Sequence, residues 1–236
     1  MKGFTVELSD SASLYDFVAS LHYKGAVFGR ARYRFALKEG GVVKGVAMFG
    51  VPSSPNVWKA HGSSGKAVLE LQRLVCVDDT PPNAESFLIG ACLRWLKDNT
   101  EVECVVSYAD PEQGHRGTVY KASNFKLLGR SEPRREIVIG DLRFDRREMY
   151  RKVAGKTLPK AIELRTLYEE AKRSGNVRVI LSEKLVYRYQ LRPAPVALPE
   201  VRFKGKRAGD AVKPIYTNPF RAIFSESSPQ FSCGII

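Results

Sequence analysis

The stretch SYADPEQGHRGTVYKASNF at residues 107–125 sets Asp110, Gln113, His115, Tyr120 and Asn124 among glycines, directly after the apolar run VECVV. A carboxylate at the carboxyl end of a strand can take a proton from a reacting group. A phenol about one helical turn further on can give a proton back or stack on a ring. Upstream, LELQRL at 69–74 places Glu70, Gln72 and Arg73 inside an otherwise apolar segment, where each is costly unless paired or used. Arg73 offers a planar fork for a carboxylate or an amide. Plainer readings stand beside these: Asp110-Pro111 as a turn former, Arg73 as one half of a pair with Glu70, Tyr120 as a core aromatic with its hydroxyl at the surface.

The elements that must position these residues follow from periodicity. Leu14, Phe17, Val18 and Leu21 repeat at helical spacing in residues 11–24, which predicts an amphipathic helix ending near His22 and Tyr23. RYRFALKEGGVVKGVAMFGV reads as two strands joined at Glu39-Gly40-Gly41. A loop is expected from Trp58 to Lys66, and its HGSSGK with His61 reads as a linker ahead of a phosphate contact. A central strand follows through AVLELQRLVCVDD. Asn83 is a suitable N-cap for a buried helix over AESFLIGACLRWLKDN, and VECVVSYAD is the next strand. Strand, buried helix and strand make a right-handed crossover, with the ends near Val77 and Asp110 side by side on one sheet edge. GTVYKASNF predicts a short helix ended by Gly129, RREIVIGDLRF a strand, LPKAIELRTLYEEAKRSG a helix with Ala161, Leu164, Tyr168 and Ala171 inward, and VRVILSEKLVYRYQL a strand pair.

Charge sharpens the expectation of a partner. The chain of 236 residues carries a net +13, and residues 130–236 alone hold 23 Lys/Arg against 12 Asp/Glu, for +11. A nucleic-acid backbone fits this asymmetry, because each phosphate neutralised releases counterions. Lys160, Arg165, Lys172 and Arg173 of the basic helix, and Arg202, Lys204, Lys206 and Arg207 of a Pro/Gly-rich tail, are the expected phosphate contacts. No membrane partner is expected, because no apolar run reaches the roughly 20 residues of a span and the basic stretches lack the Trp/Phe/Leu face of an interfacial helix. The four cysteines at 76, 92, 104 and 233 lack a close C-x-x-C pair, so neither a disulfide framework nor a zinc site is expected.

The element order, a hairpin meander followed by strand, helix, strand, short helix and strand, is that of the GNAT (N-acetyltransferase-like) fold: an α/β (α+β) mixed central sheet flanked by helices, here with a basic C-terminal extension. The organisation expected is a GNAT-like core over 1–150, a basic helix and strand pair completing or extending it over 151–191, and a basic arm over 192–236. Where such folds carry a glycine-rich pyrophosphate cradle, this chain has DDTPPNAES. Two acids repel a pyrophosphate and two prolines remove donors, so acetyl-CoA is not expected to bind.

HY at 22–23, ELQRL at 70–74, NAES at 83–86 and the SYAD…QGH…G..Y.A.N core at 107–124 closely resemble the phage Mom DNA-modification proteins over roughly residues 15–130. The resemblance implies a GNAT-like enzyme of the bacterial host cell's cytoplasm that adds a carbamoylmethyl (acetamido) group to adenine N6 in double-stranded DNA and so shields phage DNA from restriction. It implies functional positions at His22, Tyr23, Arg73, Ser86, Asp110 and Tyr120, with a catalytic or iron-ligating role for His22 against simple capping. The donor is not implied. Gln113 and Asn124 are the side chains suited to an adenine edge, and His115 is a loop donor or a DNA contact. Two other classes compete: an acyl-CoA acetyltransferase, opposed by DDTPPNAES, and a non-catalytic DNA-binding protein, which leaves Arg73, Asp110 and Tyr120 without a role. The oligomeric state stays open, a homodimer included.

Overall fold

The computed structural model describes residues 1–21, 31–52, 54–150, 152–153 and 156–193. His22 and Tyr23, the arm's Arg202, Lys204, Lys206 and Arg207, and Cys233 lie outside the described residues. Those described fall into two compact units: residues 1–131 with 184–193, and residues 132–183. The compositional boundary at 150 therefore lies inside the second unit, and residues 151–191 divide between both.

The first unit is built on a seven-stranded sheet in the order β1-β2-β3-β4-β5-β12-β6. Its strands are β1 (Phe4–Leu8), β2 (Tyr33–Glu39), β3 (Val42–Gly50), β4 (Val68–Cys76), β5 (Cys104–Ala109), β6 (Lys126–Arg130) and β12 (Leu185–Gln190). Helices α1 (Ser13–Leu21), α2 (Pro55–His61), α3 (Ala84–Asn99) and α4 (Thr118–Ala122) complete it. Gly40 and Gly41 turn the β2–β3 hairpin at φ +55° and +84°, the sense that matches strand twist. One sheet face packs Phe35, Phe49, Leu69, Leu71 and Leu74 against Leu88, Ile89 and Leu96 of α3. The other buries Val46, Met48 and Val75 under Leu14 and Val18 of α1. Among the described strands only β4 and β5 run parallel, with α3 as their crossover. This is the GNAT-like layout expected from the sequence.

Four local expectations are corrected. The segment from Trp58 is not all loop: α2 starts with Ser54 capping the Asn56 amide and Pro55 in the first turn, where its missing N–H costs nothing. The loop after it is closed rather than free, because the Ser63 amide and hydroxyl both donate to the Glu103 carboxylate. Helix α4 ends at Ala122, not at Gly129, because Asn124 takes the left-handed conformation (φ +62°) and Gly129 lies within β6. The segment VRVILSEKLVYRYQL is not a hairpin. β12 pairs with β5 and β6, since Glu183-Lys184 lacks the Gly or Asn that a two-residue turn needs.

The second unit has strands β7 (Arg134–Ile139), β8 (Leu142–Asp145) and β11 (Arg178–Ser182), a ribbon of β9 (Lys152–Val153) and β10 (Lys156–Thr157), and helix α5 (Pro159–Arg173). RREIVIGDLRF is thus two strands and not one, turned at Gly140 (φ +56°). β11 adds to β7, giving the order β11-β7-β8. Ala161, Leu164 and Ala171 of α5 are buried, and Ile137, Phe144, Met149 and Leu164 form the unit's core.

Candidate functional site

Strand β4 owes its polar middle to a bulge. Met48 pairs with Arg73 and Phe49 with Leu71, so Gln72 is the extra residue. Leu69 and Leu71 before the bulge, and Leu74 and Cys76 after it, all pack in the α3-facing core. The inserted residue restores the inward alternation that the sequence breaks. The Gln72 amide lies over Gly50, where a Cβ would come within 2.6 Å of it. Arg73 is half-buried and donates to the Gln72 carbonyl at 2.5 Å.

The bulge coincides with the place where β4 and β5 part. Their ladder holds at Val68↔Cys104, Leu69↔Val105 and Glu70↔Val106 and then stops. β4 runs six residues past Glu70 and β5 three past Val106. Their ends are therefore not level, contrary to the expectation of ends side by side, but offset by about 7 Å of strand rise once the bulged Gln72 is discounted. In the gap, Ser107 Oγ lies 3.2 Å from the Leu71 carbonyl oxygen and 2.7 Å from the Tyr120 hydroxyl. A serine has one proton and a carbonyl only accepts, so when Ser107 donates to Leu71, Tyr120 donates to Ser107. Tyr120 is 1% exposed, tilted against Phe125 and Tyr187 at centroid distances of 5.5 and 5.1 Å. Its hydroxyl is thus not at the surface but at the floor of the strand gap.

The loop carrying Asp110 is tied to the same cluster. Asp110 is 3% exposed, and its Oδ1 accepts the Glu112 amide at 3.2 Å, capping a 3-10 turn that starts at Pro111. Its carbonyl accepts the amides of Gln113 and His115. Gly114 (φ +80°) reverses the chain, and Gly117 (φ +67°) presses its backbone on Tyr187, where a Cβ would come within 2.3 Å of the ring. The Tyr187 hydroxyl donates to the Arg116 carbonyl at 2.8 Å. Burial holds the His115 imidazole below its ordinary value, with Asp110 pulling it partly back; burial raises the Tyr187 phenol. Gln113 is exposed at the turn. The loop therefore keeps Asp110 within electrostatic reach of His115 and rests, through Arg116 and Gly117, on a tyrosine that packs tilted against Tyr120.

A second locus lies between α3 and α4. Ser86 donates to the Asn83 carbonyl at 3.0 Å within the first turn of α3. Asn83 holds the N-cap position, but in the left-handed conformation (φ 70°) and with no side-chain cap bond. A groove of about 310 Å³ runs from Ser86 past Gly90, Arg94 and Lys97 to Asn124 and Gln190. Ser86 and Asn124 are thus brought together, apart from the hydroxyl pair at the strand gap. Arg94 and Lys97 were not singled out from sequence, although the positions 86, 90, 94 and 97 recur at helical spacing. Before α3, Asp79 is ion-paired with Lys44, and burial raises the Asp78 carboxyl.

Lys160, Arg165, Lys172 and Arg173 are all exposed on α5, in the second unit. Among the described residues, no three His, Cys, Asp or Glu side chains gather as a metal site requires. No helix among the described residues is long and apolar enough to cross a membrane.

The model of the Mom protein family matches residues 3–193. The methylcarbamoylase mom of Escherichia phage Mu is 30% identical over 118 residues, 49% of this chain and 49% of that protein. The chain thus spans about half the length of the curated relative it matches. Among solved structures, an N-acetyltransferase of Staphylococcus aureus Mu50 aligns at TM-score 0.46 and 12% identity, covering 80% of this chain and 99% of that one. A GNAT-family acetyltransferase of Streptococcus pneumoniae aligns at TM-score 0.44 and 8% identity, covering 79% and 98%.

Proposed function

This chain belongs to the Mom protein family, and from that premise we propose that it is a DNA-modifying transferase that places a carbamoylmethyl (acetamido) group on adenine N6 in double-stranded DNA, protecting phage DNA inside the host cell. The observation that carries the reading is Asp110: a carboxylate 3% exposed at the carboxyl end of β5, held by the Glu112 amide, three residues beyond the serine that meets Tyr120.

The adenine amino group is a weak nucleophile, because its lone pair is shared with the ring. The base must leave the stack, be oriented, and lose a proton as its new bond forms. Asp110 takes that proton in this reading, while the N6–carbon bond forms and the donor's leaving group departs with its electron pair. Tyr120, its hydroxyl bonded to Ser107, supplies the phenol at the floor of the strand gap. Arg73 offers its fork to the donor's amide or carboxylate, and Gln113, His115 and Asn124 are left for the base edge.

A coenzyme A donor does not fit these residues. Pro81 and Pro82 carry no N–H where a pyrophosphate would need one, and Asp78 and Asp79 stand beside them. The Leu71 carbonyl, at the opening of the strand gap, is already engaged by Ser107. The donor is instead a molecule with an electrophilic methylene beside an amide. Iron, where required, would be held through the His22 imidazole.

Plasmid DNA from cells expressing the chain should resist restriction enzymes whose sites contain adenine, and its nucleosides should include the carbamoylmethyl adduct. An acetylated or unaltered adenine in that digest would overturn the reading.

A further inference from the structure

The positive charge of the second unit is not spread over it. Residues 132–183 hold 13 Lys/Arg and 9 Asp/Glu, for +4. Residues 146–160 within them hold 6 and 1, for +5, so the remainder is at −1. Helix α5, expected from sequence to be a basic face, carries Glu163, Glu169 and Glu170 between Lys160, Arg165, Lys172 and Arg173, leaving +1. The surplus therefore lies on the segment from Arg146 through the β9–β10 ribbon to Lys160.

Two observations make that segment more than a charge run. Arg147 is taken by Asp145 at 2.7 Å, but Arg146, Lys152, Lys156 and Lys160 are exposed and have no carboxylate in ion-pair reach among the described residues. The ribbon also stands as a sheet of its own: Lys156 pairs with Val153 and Thr157 with Lys152, and no other described strand joins either edge. Alternation places Lys152 and Lys156 on opposite faces of it. A ribbon two strands wide is narrow enough for a groove of about 12 Å, and when it enters edge-on its two faces look toward the two phosphate walls, one lysine to each. Tyr150, 52% exposed just before the ribbon, adds an aromatic at its base. A membrane surface is flat and would engage one face only.

We propose that the β9–β10 ribbon is a duplex-DNA contact that enters a groove and grips both of its phosphate walls through Lys152 and Lys156, with Lys160 following at the start of α5. This rests on the reading of DNA as substrate.

The test is the binding of a fluorescent 30-base-pair duplex by the full chain across a salt series. Lys152→Gln/Lys156→Gln/Lys160→Gln should flatten the log–log salt slope by about 2.7 and weaken binding on the order of 100-fold at 0.15 M salt. A triple change of equal charge at Lys2, Lys66 and Lys126 should leave the slope in place. Lysine acetylation footprinting of the unaltered chain should show Lys152 and Lys156 protected by duplex, which keeps the test intact if the triple variant folds poorly. Equal flattening by both triples, full reactivity of the ribbon lysines under DNA, or loss of binding to anionic vesicles alone would overturn the proposal. If the unaltered chain binds no duplex, the DNA reading fails instead, and the two failures are distinct.

Discussion

The Tyr120 hydroxyl and Ser107 Oγ sit 2.7 Å apart at the point where β4 and β5 separate. The pair joins the two strands of the gap through the Leu71 carbonyl, so the same contact that closes the sheet orients the phenol. Tyr120→Phe should keep the ring packing on Phe125 and Tyr187, cost about 1 kcal/mol in a denaturant titration, and abolish the modified adenine. Full modification in that variant would reduce Tyr120 to a core aromatic.

Asp110 has a structural duty as a cap and a proposed chemical one, and two variants separate them. Asp110→Asn keeps an oxygen for the Glu112 amide and should fold with unchanged stability, yet lose modification, because an amide takes no proton. Asp110→Ala should lose modification and also about 1 kcal/mol of stability. An active Asn variant would leave only the cap.

Gly117→Ala should damage the loop through sterics alone. The φ of +67° is strained for alanine, and its Cβ would press into Tyr187 at 2.3 Å. We expect a loss of about 2 kcal/mol or more and weaker modification. A variant as stable as the parent would mean that the loop does not rest on Tyr187.

His61 gives the fold a measurable pH dependence. It is buried at the end of α2 with no partner for Nδ1 among the described residues, and burial, aided by Arg188, lowers its imidazole to about 4. Between that value and the unfolded 6.5, the unfolded chain binds a proton that the folded chain does not. Stability is therefore complete above pH 6.5 and is lost as pH falls toward 4, by roughly 2 kcal/mol between pH 7 and 5. His61→Leu should show a drop smaller by about that amount in urea titrations at the two pH values. An unchanged drop would show that His61 is solvated.

Much of the first unit could be read from local pattern. The β2–β3 hairpin, the central strand and the buried α3 are each written in a run of neighbouring residues, and so is the SYAD…Y spacing that sets Ser107 against Tyr120. What escaped was decided at a distance. β12 joins β5 and β6 rather than β11, with partners that lie between 55 and 86 residues away, and no turn signal announces it. Gln72 looked like a polar intruder because a bulge shows only against the partner strand. Asn124, expected at the base edge, ends α4 through a positive φ, a duty that sequence alone does not separate from recognition. Arg94 and Lys97 lay on a helix read only for its apolar side.

The most direct measurement is nucleoside mass analysis of plasmid DNA from cells expressing, at matched levels, the unaltered chain, Asp110→Asn and Tyr120→Phe. The expected result is carbamoylmethyl adenine from the unaltered chain and plain adenine from both variants. Carbamoylmethyl adenine in undiminished amount from both variants would contradict the assignment of the chemistry to the Asp110 loop and the Tyr120–Ser107 pair.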